Sequence, residues 1–162
     1  GPLRGVFKLD SGARSCPVMS SPTLFITHQS EFAAAHRLHN QDLSEGENAR
    51  LYGPCNNPTG HGHNYDLLVT VAGPIPPRTG MVMDLNCLAA LVREELISRV
   101  DHKNLNSDVP FLAGLITTAE NMCVVFWEHL SPLIEDFEGC RLPRIRLYEN
   151  RSSFVDYHGP LS

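Results

Sequence analysis

The sequence predicts an α+β protein: a four-stranded antiparallel sheet with two helices on one face. Three observations carry this. The patterns run strand, strand, helix, helix, strand, strand along 162 residues. The connections between neighbouring strand patterns are short, which favours antiparallel pairing. Both helix patterns are amphipathic, so each has one stripe to bury against a sheet. Two helices cover one sheet face only. With so little chain left for the other, oligomerisation is the natural cover.

Residues 1–22 mix Gly, Ser, Pro and Arg without a period and read as a flexible lead-in. Gly1-Pro2 has the look of a protease-cleavage scar, so the lead-in is set aside and residues 23–162 are taken as one domain. Residues 23–35 open with aromatic and β-branched side chains and read as the first strand. A polar loop from Asn40 to Arg50 and a Gly/Pro/Asn turn over residues 53–60 follow. Residues 64–72 read as the second strand, closed by Gly73-Pro74, with a loop over residues 76–80. Asp84 has the character of an N-cap. Beyond it Leu85, Leu88, Val92 and Leu96 recur at three- and four-residue steps, predicting a helix to about Arg99. Thr117-x-x-Glu120 has the form of a capping box, with Met122, Val125, Phe126, His129 and Leu133 along one face of the helix it would start. Residues 143–149 alternate as a strand, and residues 153–158 read as the last.

Composition narrows the function classes. Charged residues make up 19% and hydrophobic ones 42%, ordinary for a globular protein. A net charge of -5 argues against broad nucleic-acid binding. No apolar run is long enough to span a membrane, and no secretory signal is visible. The five cysteines are odd in number, irregularly spaced and without a CxxC pair. That speaks against a disulfide framework and for a reducing cytoplasm. Cys87 and Cys123 fall within helix patterns and read as small buried hydrophobes, which leaves Cys55 as the cysteine in a loop beside potential ligands.

The chemistry concentrates in Cys55-Asn56-Asn57-Pro58-Thr59-Gly60-His61-Gly62-His63-Asn64. On a strand His61 and His63 share a face, because side chains alternate with a period of two. Two adjacent imidazoles begin a metal site, and a catalytic zinc takes three protein ligands with one position open. His36 follows the first strand in Phe-Ala-Ala-Ala-His-Arg. If the first two strands are antiparallel neighbours, His36 faces His61 and His63. Cys55 is either a fourth ligand or a reactive thiol.

Three further places carry weaker signals. Asp101-His102-Lys103 follows the first helix and offers a carboxylate–imidazole pair. Adjacent residues rarely bond each other directly, so a relay there needs tertiary help, and a charged helix end is the plainer reading. Glu149 ends a strand, where a carboxylate can accept two N–H bonds from a guanidine-like ring edge. Thr118 and Glu120 read first as capping residues.

Together the runs Phe32–Leu38 (FAAAHRL), Cys55–Tyr65 (CNNPTGHGHNY), Thr79–Leu85 (TGMVMDL), Asp101–Leu105 (DHKNL), Asp108-Val109-Pro110, Thr118–Asn121 (TAEN) and Tyr148-Glu149 resemble the 6-pyruvoyltetrahydropterin synthase family. They span about residues 24–158 in one order. The resemblance implies a tunnelling fold (T-fold) in which subunits form trimeric barrels that pair into homohexamers, with active sites between subunits. It implies zinc on His36, His61 and His63, a catalytic group of Cys55, Asp101 and His102, and Glu149 as anchor of a pterin ring. Thr117, Thr118 and Glu120 match a stretch that lines the pterin pocket. Ala119 departs from the second Thr found in many relatives. The implied reaction is conversion of 7,8-dihydroneopterin triphosphate to 6-pyruvoyl-tetrahydropterin with loss of triphosphate, in tetrahydrobiopterin biosynthesis, with Mg²⁺ as an expected requirement. Arg37 and Lys103 are candidate triphosphate contacts.

Two alternatives stay open at this level. A 6-carboxytetrahydropterin synthase uses the same zinc and thiol, although the Asn-Asn-Pro insert between Cys55 and His61 favours the pyruvoyl type. A non-catalytic zinc-binding domain would close the site with Cys55 as fourth ligand.

Overall fold

The structure, a computed structural model, describes residues 22–161. The lead-in expected over residues 1–22 lies outside the described residues but for its last member. Two long strands dominate. β1 (Thr23–His36) and β2 (His61–Pro74) pair antiparallel over their whole length, from Thr23 opposite Pro74 to His36 opposite His61. The connection between them holds a short helix, α1 (Glu45–Tyr52), and a 3₁₀ turn over Gly53–Asn56 that contains Cys55.

After β2 comes α2 (Leu85–Val92), continued through a π-helical turn (Arg93–Ile97) into α3 (Ser98–Val100). The two-residue β3 (Lys103–Asn104) then adds to the edge of β1 in parallel. The long helix α4 (Ala119–Glu135) precedes β4 (Arg141–Tyr148) and β5 (Phe154–Tyr157). The sheet order is β3-β1-β2-β4-β5, so the four expected antiparallel strands are present and the short β3 is an addition at the rim.

Alternation along the strands decides what is buried. Phe32, Tyr65, Leu67, Val69, Val71, Ile145 and Leu147 share one face and join Leu88, Val92, Leu96, Val100, Met122, Phe126, Leu130 and Ile134 of the helices in one core. The helical stripe Leu88–Val92–Leu96–Val100 steps by four throughout. Such a stripe drifts around an ordinary α-helix of 3.6 residues per turn, and the wider π turn in its middle absorbs the drift. Among the described residues the opposite sheet face carries no helix. It is polar, with Thr27 and Thr70 hydroxyls 2.8 Å apart, Arg146 paired to Asp156 at 2.7 and 2.9 Å, and the same guanidinium 3.9 Å over the Phe154 ring.

Several expectations change. The polar stretch from Asn40 to Arg50 is partly helix: Ser44 and Glu47 form a capping box at the start of α1. Thr118, not Thr117, caps α4, its hydroxyl accepting the Asn121 N–H. The Thr117–Glu120 box is therefore not formed, because the Thr117 side chain is buried and committed elsewhere. Leu130 and Ile134 rather than Leu133 complete the buried face of α4. Cys123 is buried as expected, but Cys87 and Leu85 are exposed, lying on the outer side of α2.

Candidate metal centre

The last rungs of the β1–β2 ladder build the site. His36 faces His61 directly, and His63 stands one alternation further along β2. All three point to the helix-covered face, at the end where the apolar core stops. One ligand atom from each imidazole can be chosen so that all lie within 4.8 Å of one another. The ring centroids are 4.8 Å (His36–His61), 5.1 Å (His36–His63) and 4.8 Å (His61–His63) apart.

Orientation is set from the segment before α4. His36 Nδ1 donates to the Thr117 carbonyl at 2.9 Å, with the Thr117 hydroxyl 3.1 Å away. A carbonyl only accepts, so the proton sits on Nδ1 and the Nε2 lone pair is free. Asn106 in turn donates to the Thr117 hydroxyl at 3.2 Å and accepts the Arg37 backbone N–H at 2.7 Å, tying β1's exit to the same corner.

Two of the imidazoles, His36 and His63, are pushed towards the neutral form. His36 is fully buried and its pKa falls to about 4, first through loss of water and then through the neighbouring His61. That of His63 is also lowered, chiefly by burial, against the opposing pull of Glu149. Buried polar atoms without partners mark the place: His36 Nε2, both ring nitrogens of His61 and His63 Nε2. Such orphans are rare in native proteins unless something takes them. Three imidazole nitrogens converging on one point are the donor set that zinc favours, so the residues fit that metal.

Glu149 lies just past β4 with Oε1 3.1 Å from His63 Nε2, off the direction of an N–H bond, so the contact leaves Nε2 unbonded. Tyr65, two residues beyond His63, is fully buried and packs edge-on to His63 with centroids 5.5 Å apart. Burial, and then the Glu149 charge, push its pKa above the ordinary phenol range, so it stays protonated. The sequence reading missed Tyr65. The signal was there in the period of two that carries His61 and His63 on to residue 65.

The expected catalytic group is placed as follows. Asp101 and His102 sit at the rim of β1. Ala33 N–H donates to Asp101 Oδ1 at 2.9 Å, His102 N–H donates to the Ala33 carbonyl at 2.6 Å, and His102 takes a left-handed φ of 59°. This clamp brings Asp101 Oδ1 to 3.0 Å from His102 Nδ1, so the adjacent pair is held in close contact, with tertiary help from β1. The Ala33 N–H is the main cause holding the Asp101 carboxyl below its usual pKa. The His102 side chain is 83% exposed. A cleft of about 500 Å³ is lined by His63, Gly62, Ala34, His102 and Lys103, so the metal corner and the dyad open onto one space.

Cys55 is half-buried, and its carbonyl accepts the Leu38 N–H at 2.8 Å. Its thiol is not in the three-histidine group, nor are Asp101 and His102. Buried Asn56 anchors this turn by donating to the Leu38 carbonyl at 2.7 Å and to His39 Nδ1 at 3.0 Å. Arg37 is turned inward, its Nε donating to the Asn56 carbonyl at 2.8 Å. Thr118 caps α4, and Glu120 is exposed on its first turn.

Comparisons with known proteins agree with this architecture. The sequence profile described as 6-pyruvoyl tetrahydropterin synthase matches residues 25–160. The 6-pyruvoyl tetrahydrobiopterin synthase of Poecilia reticulata is 44% identical over 136 residues, covering 83% of this chain and 90% of its own. The Homo sapiens protein of the same description is 40% identical over 150 residues, covering 93% and 97%. The solved structure of Caenorhabditis elegans 6-pyruvoyl tetrahydropterin synthase superposes with a TM-score of 0.80 at 34% identity, covering 86% of this chain and 98% of that one. The fold and its three-histidine corner are those of a T-fold protein with a metal centre. The chain belongs to the 6-pyruvoyl tetrahydropterin synthase family.

Proposed function

We propose that the chain is a zinc-dependent lyase that converts 7,8-dihydroneopterin triphosphate to 6-pyruvoyl-tetrahydropterin with elimination of triphosphate, a step of tetrahydrobiopterin biosynthesis. One observation carries this beyond family membership. Three imidazoles, one buried and two half-buried, converge with buried, unpaired nitrogens while Cys55 stays out of their group, which leaves a thiol free for chemistry and a coordination position free for substrate.

Zinc bound there would polarise the side-chain hydroxyls of the substrate and acidify the neighbouring C–H. The protein's own groups do the rest. Cys55, as thiolate, takes the proton from that carbon. The Asp101–His102 dyad exchanges protons with the thiol or the substrate, the carboxylate holding the imidazole's tautomer. Glu149 accepts N–H bonds from the pterin ring, and Thr117, Thr118 and Glu120 belong to the pocket wall. Removal of the proton leads to loss of triphosphate and an internal redox tautomerisation, so no external oxidant or reductant takes part. Lys103, on the cleft shared by His63 and His102, is the better-placed cation for triphosphate, since the Arg37 guanidinium is spent on Asn56.

The exposure of His102 supports an active site completed by a second copy of the chain, within a homohexamer built as a dimer of trimers. The partner is thus a small pterin triphosphate rather than a nucleic acid, in line with the net charge of -5. Among the described residues no helix is long and apolar enough to cross a membrane. The cytoplasm suits an enzyme whose base is a reduced thiol. Mg²⁺ would serve the triphosphate leaving group.

The test is incubation of zinc-loaded protein and its Cys55→Ala variant with dihydroneopterin triphosphate and Mg²⁺, following pterin products by mass and released triphosphate. Cysteine-dependent appearance of the pyruvoyl product, with zinc content and fold intact in the variant, is the expected result. A carboxylated product, or zinc lost together with Cys55, would overturn it in favour of the carboxy-type enzyme or a closed structural site.

A further inference from the structure

Tyr65 has no hydrogen-bond partner for its hydroxyl although the residue is fully buried. A phenol oxygen in such a place has given up water and gained nothing, so it calls for a partner or a task. The ring is not free to seek one. It lies flat against Phe32, with centroids 4.7 Å apart and planes at 10°, and it is edged by His63 at 5.5 Å and His36 at 6.2 Å.

Glu149 stands beside it. The β2–β4 ladder ends on the pair Asp66 and Tyr148, and one residue further along each antiparallel strand come Tyr65 and Glu149. The Glu149 charge reaches the Tyr65 hydroxyl. Its carboxylate meanwhile rests 3.1 Å from His63 Nε2, in a contact that leaves that nitrogen unbonded. When that nitrogen gives its lone pair to a metal it has no proton to lend. The carboxylate is then open to another donor, and the buried hydroxyl still needs an acceptor.

We propose that Tyr65 is a positioning residue of this site: in the metal-loaded protein its hydroxyl donates a hydrogen bond to Glu149 and fixes the direction in which the carboxylate faces the pterin ring. The inference rests on the metal and pterin reading above. A carboxylate has two oxygens and about four lone-pair positions, so Tyr65 can hold one side while ring N–H groups take the other. Without the bond Glu149 keeps its charge but loses its aim, which weakens recognition of a flat, doubly donating ring edge more than it affects the metal.

The experiment compares wild type, Tyr65→Phe, Glu149→Gln and the double variant, each metal-free and zinc-loaded, with neopterin as a non-reacting probe followed by its fluorescence. Zinc content is expected to be equal in all four. In the zinc-loaded state Tyr65→Phe should bind neopterin about tenfold more weakly, as for a lost bond to a charged group. The double variant should be no weaker than Glu149→Gln alone, because Tyr65 acts through Glu149. Metal-free Tyr65→Phe should melt no lower than metal-free wild type, since it loses only an unpartnered oxygen. Unchanged neopterin affinity in zinc-loaded Tyr65→Phe, losses that multiply in the double variant, or a lower melting temperature of the metal-free variant would each overturn the proposal. Wild type that takes zinc but no neopterin would overturn the pterin reading instead. The Tyr65–Glu149 bond is still read in that case by the rise in melting temperature that zinc confers, which must be smaller in Tyr65→Phe.

Discussion

Asp101 and His102 are neighbours in the chain, yet Oδ1 of the first lies 3.0 Å from Nδ1 of the second. The left-handed backbone of His102 makes this possible, and two hydrogen bonds to Ala33 hold it there. The pair is thus set in place by the edge of β1 within one chain. Asp101→Asn is expected to keep fold and zinc content while kcat falls on the order of 10²–10⁴-fold, the range for one positioned acid–base group. Steady-state product formation at matched metal content checks it.

Thr117→Val tests the other side of the site. The carbonyl that fixes the His36 tautomer remains, but the hydroxyl that Asn106 grips is gone. Zinc affinity is expected to fall about 10-fold, at the low end for loss of a group that orients a ligand. Competition with a chromophoric chelator measures it; unchanged affinity would mean the carbonyl alone suffices.

Metal-free protein is expected to lose stability as pH falls from about 6.5 towards 4. His36 is neutral in the folded chain down to about pH 4, whereas unfolded it binds a proton near 6.5. The unfolded state therefore gains protons first on acidification. The full difference is on the order of 3 kcal/mol, at about 1.4 kcal/mol per pKa unit. Urea unfolding across that range reads it, and His36→Gln should flatten the slope.

Gly60→Ala addresses the entry to β2. Gly60 has a φ of 77°, and a Cβ there would lie 3.0 Å from the His36 carbonyl oxygen. Both the backbone conformation and the contact resist a side chain. A stability loss of about 1 kcal/mol or more is expected, with weaker zinc binding because His36 and His61 are pushed apart. Thermal melting and metal titration of the variant check both.

The sequence was most legible where a period repeats. Alternation placed His61 and His63 on one face, and antiparallel pairing brought His36 to them. It was least legible where structure rests on polar contacts. The only buried residue of α1 is Asn48, whose side chain donates to the carbonyls of Asn40, Leu43 and Ser44, so no apolar stripe announced that helix. The strand start was read at 64 rather than 61 because Gly60 and Gly62 look like turn residues. Gly62 instead belongs to β2, paired opposite Ala35 of β1. Two threonines in a row left the α4 cap ambiguous, and the choice fell to burial: Thr117 turns inward to His36, which leaves Thr118 to cap. How Cys55 relates to Asp101 and His102 was not legible at all, since no spacing or period in the sequence links the turn at residues 53–56 to the rim of β1.

The last rung of the β1–β2 ladder, His36 against His61, makes the metal corner a by-product of strand registration. A slip of one residue would turn His61 and His63 outward and abolish the corner at a stroke. Most of the chain between those histidines, away from Gly60, lies outside that ladder. Insertions or deletions in the middle of that segment would shift the Cys55 thiol while leaving the imidazoles in place. Floor and thiol are therefore separately evolvable: a lineage could change what stands over the three histidines without rebuilding the sheet that aligns them.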